Sequence, residues 1–233
     1  MHNKENAKKI TSFLNRIADS YILLICLIVL LLGTYHITDA VYVFFHASNS
    51  YRGYKPEVTD LSDENIHLAN SVAWLTIDGT PIDYPIMQGP DNFYYLNVDP
   101  LGNYSLSGSI FLDYRNDGFN DDYSVVYGHH MEHGLMFGAL DMYSNIEYFY
   151  THRTGKIIAD GKEYDLNIFA SGMINADDVL FTVPQGRDTA LEHIRSVSNT
   201  FAEPKGGRIV ALTTCTSDPS SSERFVVFTE IRN

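Results

Sequence analysis

V125-V-Y-G-H-H-M-E-H-G134 holds three histidines and a glutamate, and its backbone conformation decides what kind of protein this is. As a helix, His129, Glu132 and His133 spell H-x-x-E-H, the inverted zinc-peptidase pattern, with two ligands and a base on one face. As a strand, the apolar run Val125–Tyr127 ends in a single exposed-end histidine, His129. Gly128 and Gly134 flank the pattern, and glycine is among the poorest helix formers. Val and Tyr favour strands. The strand reading therefore leads, with His130, Glu132 and His133 as a turn into the next element. A zinc peptidase using His129 and His133 stays as the alternative, and no metal site is expected.

Short β-rich runs bounded by turn residues extend in both directions. They are V72–I77, P81–I86, S109–D113, S124–G128, K156–A159, E163–S171, R208–C215 and R224–I231. The Asp160-Gly161 pair between two of them is a strong hairpin signal. Eight strands at this spacing predict a mainly β chain closed into a barrel. Apolar residues at helical spacing predict one inserted helix over 136–150 and another over 188–201. Asp188 is the expected N-cap of the second. A further helix is expected over Asp60–Asn70, ahead of the barrel, with its acidic residues early.

The run I22-L-L-I-C-L-I-V-L-L-L32 lies in an apolar span of residues 17–37, long enough to cross a bilayer. Lys4, Lys8, Lys9 and Arg16 precede it, which predicts a cytoplasmic N-terminus and an extracellular remainder. A cleaved signal peptide ending near Thr38–Ala40 is the competing reading. The apolar run A40-V-Y-V-F-F45 favours a retained anchor. The expected division is a cytoplasmic 1–16, a transmembrane 17–37, a stalk and N-terminal helix over 38–71, and a catalytic domain over 72–233. A formal net charge of -13 repels phosphate backbones, so nucleic acid is not an expected partner.

Cys26 and Cys215 are the two cysteines of the chain. With Cys26 in a membrane span they cannot pair, which leaves Cys215 a lone thiol. Cys215 ends one predicted strand and Arg224 opens the next, so an antiparallel hairpin brings them together. A guanidinium there lowers a thiol's pKa and can donate to an oxyanion. A buried structural cysteine beside a surface arginine is the alternative. A cysteine nucleophile needs a proton carrier, and His129 at a strand end fits that role. His152 and His193 are expected at the surface. The absence of G-x-S-x-G gives no support to a serine-hydrolase elbow.

These residues also carry a resemblance. L212-T-T-C215, Y127-G-H129 and Arg224 resemble the cysteine, histidine and arginine motifs of sortases, the cysteine transpeptidases of Gram-positive cell surfaces. W74-L-T-I-D-G-T-P-I-D-Y-P-I-M-Q88, D91-N-F-Y-Y-L96, G108-S-I-F-L-D-Y-R-N116 and H130-M-E-H-G-L-M-F-G138 resemble class B sortases in particular. The similarity runs from about residue 60 to the end. Ala211 stands where the signature has threonine, which puts a secondary contact in doubt. The resemblance implies a sortase-like eight-stranded β-barrel and no cofactor. It implies that Cys215 attacks the C-terminal sorting motif of an exported protein and that Arg224 stabilises the oxyanion. His129 would protonate the leaving amine. The thioester then passes to an amine of a peptidoglycan precursor or a pilin. It further implies that Leu96, Tyr127, Thr213 and Thr214 line the substrate groove. A non-catalytic extracellular binding module is the remaining alternative.

Overall fold

In the computed structural model, residues 2–49, 51–56, 68–183, 185–215 and 222–232 are described. They fall into two compact units, Met1–Phe44 and Phe45–Asn233. The first is built on helix α1 (His2–Asn49). Its stretch Thr11–Tyr42 is long and apolar enough to cross a membrane. Ser20, Thr34 and Thr38 lie in that stretch and donate their hydroxyls to carbonyls of the preceding turn. Hydrophilic side chains are thus satisfied within the helix itself. The helix continues past residue 37 to Asn49, so the first part of the expected polar stalk is helical. The helix expected over 60–70 falls largely on residues 57–67, which lie outside the described residues.

The second unit is a β-barrel. Its strands are β1 (Ser71–Ile77), β2 (Asp83–Gln88), β3 (Ile110–Leu112), β4 (Tyr123–Gly128), β5 (Thr154–Ala159), β6 (Lys162–Asn175), β7 (Thr200–Phe201), β8 (Arg208–Cys215) and β9 (Glu223–Arg232). Their order is β5-β1-β2-β3-β4-β8-β9-β6, and the β5–β6 pairing closes the ring. The eight expected strands make this ring. The two-residue β7 is an addition, pairing with β6 alone.

Strand β6 runs beyond the expected Ser171 to Asn175. A bulge between Ile168 and Ala170 bends it, so its first half pairs with β5 and nearly all of it with β9. The hairpin turn before it has Asp160 at φ 50° and Gly161 at φ 69°. Positive φ at both central residues is the turn whose twist matches the flanking strands.

The segment expected as one helix over 136–150 is two elements. A 3₁₀ stretch covers Phe137–Ser144, and α2 covers Ile146–Thr151. Asn145 breaks the run because its side chain accepts the Tyr148 N–H as an N-cap. Helix α3 (Arg187–Val197) is capped by Gly186, with Asp188 inside the first turn. There its charge still favours the helix dipole. Phe201 belongs to β7, not to this helix.

Alternate residues of the strands fill the barrel, among them Leu75, Ile86, Leu112, Val126, Leu212 and Val227. The opposite faces of β4, β6, β8 and β9 pack against α3 through Val125, Phe169, Ala211, Phe228 and Ile194. β4 and β8 are thus buried on both faces, which is why they read as continuous apolar runs.

Candidate active site

Three strand ends converge. β4 and β8 run parallel, in register from Tyr123↔Ile209 to Gly128↔Thr214. His129 and Cys215 follow directly at the same end of these neighbours. β9 lies antiparallel on the other side of β8, with Cys215 paired to Arg224. At a strand spacing of about 4.8 Å, three consecutive backbones span only about 10 Å. The chain therefore gathers a histidine, a cysteine and an arginine from distant segments onto one rim of the barrel.

Each of the two flanking residues is held. The backbone carbonyl of His129 accepts the Phe137 N–H at 3.0 Å. Its ring Nε2 lies 2.7 Å from the Leu96 carbonyl oxygen. The residue before it, Gly128, leaves no room for a side chain, since a Cβ there would meet Ile110 and Phe137 within 2.8 Å. The Arg224 guanidinium stands 5.9 Å from the centre of the Phe181 ring, within cation–π range.

Tyr127, two residues before His129, joins a polar network that sequence reasoning missed. Asp113, fully buried, accepts from Arg115 Nε at 2.8 Å and Nη2 at 2.7 Å, from the Arg115 backbone N–H, and from Asn92 Nδ2 at 2.8 Å. Tyr127 donates its hydroxyl to the same carboxylate at 3.1 Å. Arg115 Nη2 also donates to the carbonyl of Phe181 at 2.9 Å. Burial pushes the Asp113 pKa up, but the hydrogen bonds and charge of Arg115, with Asn92, outweigh it and hold the carboxyl below its usual range. Burial, and then the Asp113 charge, drive the Tyr127 phenol far above its ordinary value. Tyr127 is a fixed donor. The signal available in the sequence was the D-Y-R-N run at 113–116, but Asn92, Tyr127 and Phe181 are remote from it.

The four residues expected along the groove sit differently from one another. The Leu96 and Tyr127 side chains are half-buried against the cluster of Trp74, Met87, Tyr95 and Phe111. Tyr127 also stacks on Phe111. Thr213 and Thr214 are buried in β8. The Thr213 hydroxyl has no hydrogen-bond partner among the described residues.

The helix that the zinc pattern requires is not formed. Glu132–Gly134 is a single 3₁₀ turn with His133 at φ 59°. His130 Nε2 pairs instead with Asp141 Oδ2 at 2.7 Å. Among the described residues no three His, Cys, Asp or Glu side chains group as metal ligands. His152 and His193 are more engaged than surface residues. His152 stacks on Tyr148 with centroids 3.9 Å apart. His193 on α3 meets Asp178, the N-cap of the 3₁₀ turn Val179–Phe181, at 2.9 Å.

This geometry has relatives. The sortase domain family model matches residues 75–232. Sortase B of Listeria monocytogenes is 33% identical over 188 residues, covering 77% of this chain and 75% of that protein. A class B sortase of Streptococcus pyogenes involved in pilus biogenesis superposes with a TM-score of 0.64 at 39% identity, covering 70% of this chain and 93% of that one. Sortase B of Clostridium perfringens gives a TM-score of 0.64 at 29% identity, covering 71% and 95%. The family match over most of the barrel, together with these class B relatives, establishes that this chain belongs to the sortase family of cysteine transpeptidases, among its class B members.

Proposed function

We propose that this protein is a membrane-anchored transpeptidase that joins exported proteins to a cell-surface amine through a thioester on Cys215. The observation that carries this is the register that brings His129, Cys215 and Arg224 together on adjacent strand ends. The Cys215 thiolate attacks the carbonyl of the scissile bond in a C-terminal sorting motif. Arg224 donates to the oxyanion of the tetrahedral intermediate. His129 as imidazolium protonates the leaving amine, and neutral His129 later takes a proton from the acceptor amine. No cofactor is called on.

The same proposal covers topology. Residues 1–16 are cytoplasmic, 17–37 cross the membrane, 38–71 form a stalk and N-terminal helix, and 72–233 act outside. Lys4, Lys8, Lys9 and Arg16 ahead of the span support that orientation. Anchoring keeps the enzyme among exported substrates and wall precursors, raising their effective concentration. The amine of a cell-wall precursor is the acceptor. A pilin amine is the second reading, favoured by the 39% identity to a sortase involved in pilus biogenesis.

The test is cleavage of a library of sorting-motif peptides by the full chain in detergent. Cleavage should survive a chelator and stop on thiol alkylation. Chelator-sensitive, alkylation-resistant cleavage would revive the zinc peptidase. No cleavage of any motif by folded protein would favour the binding module.

A further inference from the structure

The contact between His129 Nε2 and the Leu96 carbonyl oxygen, at 2.7 Å, has a chemical consequence. A carbonyl oxygen only accepts, so Nε2 must carry the hydrogen. The neutral ring is then the Nε2–H form, and Nδ1 holds the lone pair.

That carbonyl is not placed by chance. It ends the 3₁₀ turn Tyr94–Leu96, whose Tyr95 is buried. Asp91 Oδ1 accepts the N–H groups of Phe93 and Tyr94 at the start of the turn. Ser109 N–H donates to the Tyr95 carbonyl at 2.9 Å, and Ser109 Oγ to the Val98 carbonyl at 2.7 Å. Gly108 lies against the turn at φ +55°, and a Cβ there would sit 2.5 Å from both the Leu96 and Tyr95 oxygens. Only glycine fits both that conformation and that gap.

We infer that the Leu96 main-chain carbonyl, seated by Gly108, is a positioning group that fixes His129 in its Nε2–H form and assigns proton transfer to Nδ1. The assignment of transfer rests on the proposed transpeptidase reading, whereas the tautomer does not. In the first half-reaction, imidazolium Nδ1–H gives its proton to the leaving nitrogen as the C–N bond breaks and the C–S bond remains. In the second, Nδ1 takes a proton from the acceptor amine as the new C–N bond forms. The C–S bond then breaks, returning thiolate and imidazolium. Nε2 keeps its hydrogen throughout. Leu96, expected to line the substrate groove, serves here through its backbone carbonyl.

The experiment is nitrogen NMR of the full chain in detergent with ¹⁵N-histidine, His129 being assigned by the His129→Gln difference. The expected neutral His129 shows a protonated Nε2 and an unprotonated Nδ1. The Nδ1–H form, or an even mixture, would overturn the inference, whether or not the protein proves to be a transpeptidase. Gly108→Ala should mix the two forms and lower kcat on the order of 100-fold, as a misplacement of about 1 Å can, with KM for the peptide little changed. Gly102→Ala is the control, since Gly102 has φ +87° in the same loop but nothing within 4 Å. It should leave both readouts unchanged. If Gly102→Ala disturbs His129 equally, loop strain explains the effect and the positioning role fails. If Gly108→Ala does not fold, the wild-type spectrum alone decides.

Discussion

Asp113 and Glu230 are both fully buried carboxylates, each paired with an arginine two residues later. Glu230 accepts from Arg232 Nη2 at 2.8 Å, from Asn167 Nδ2 at 3.1 Å, and from the N–H groups of Lys205 at 2.7 Å, Gly206 and Gly207. Its partners fasten one connector to β9. Asp113 is satisfied as thoroughly, but its partners lead elsewhere. Arg115 passes from Asp113 to the Phe181 carbonyl, and the Phe181 ring lies under Arg224. Burying a charge is costly unless it is fully paired. The chain meets that cost in the same way twice, once to hold the 205–207 connector and once to join Arg115 to the carbonyl of Phe181, whose ring lies under Arg224.

The sharpest contrast lies at the rim itself. Cys215→Ala should abolish transpeptidation while leaving the melting temperature close to wild type, measured by peptide turnover and circular dichroism. Arg224→Ala should cost about 10²–10³ in kcat, the usual loss for one oxyanion donor. A Cys215→Ala protein that still joined peptides would break the proposed chemistry.

The two carboxylates separate next. Asp113→Asn and Glu230→Gln should each destabilise by about 3 kcal/mol, the low end for breaking a buried ion pair. Only Asp113→Asn should also lower kcat per folded molecule, by about tenfold through displaced neighbours. Equal kcat in the two variants would erase the distinction between them.

Acid should blunt both effects. Burial raises the pKa of each carboxyl, but arginine and N–H partners outweigh it, so both are held below their usual values when folded. The unfolded chain therefore takes up protons first as pH falls. The stabilisation is complete above the ordinary carboxylate range of about pH 4 and is lost below it. The melting-temperature gap between wild type and either variant should be widest near neutral pH and narrow below about pH 4. The smallest effect belongs to the Asp160-Gly161 hairpin. Gly161→Ala forces a Cβ into φ 69° and should cost about 1 kcal/mol, with activity per folded molecule intact.

The strands were readable because runs such as Val125–Tyr127 and Ile209–Leu212 are buried on two faces and bounded by turn residues. The closure of the ring was readable from their number, and the convergence of Cys215 and Arg224 from a short hairpin. Three things were not. Apolar spacing over 136–150 concealed the break, because it ignores what Asn145 does as a cap. The Asp113 network joins residues scattered from Asn92 to Phe181, and no local pattern connects them. The Leu96 carbonyl is backbone, so its link to His129 has no signature in residue identity. Its only trace is Gly108, whose need for a small residue appears once the turn at Leu96 is in place.

On the proposed pathway Cys215 carries an acyl group between the two half-reactions. Intact-mass spectrometry of the full chain, mixed with sorting-motif peptides and no acceptor, tests this most directly. The protein should gain a mass equal to the acyl part of the peptide, mapped to Cys215 and cleared by adding an amine. Folded protein that cleaves a peptide without any such adduct, or with the adduct on another residue, would contradict that pathway.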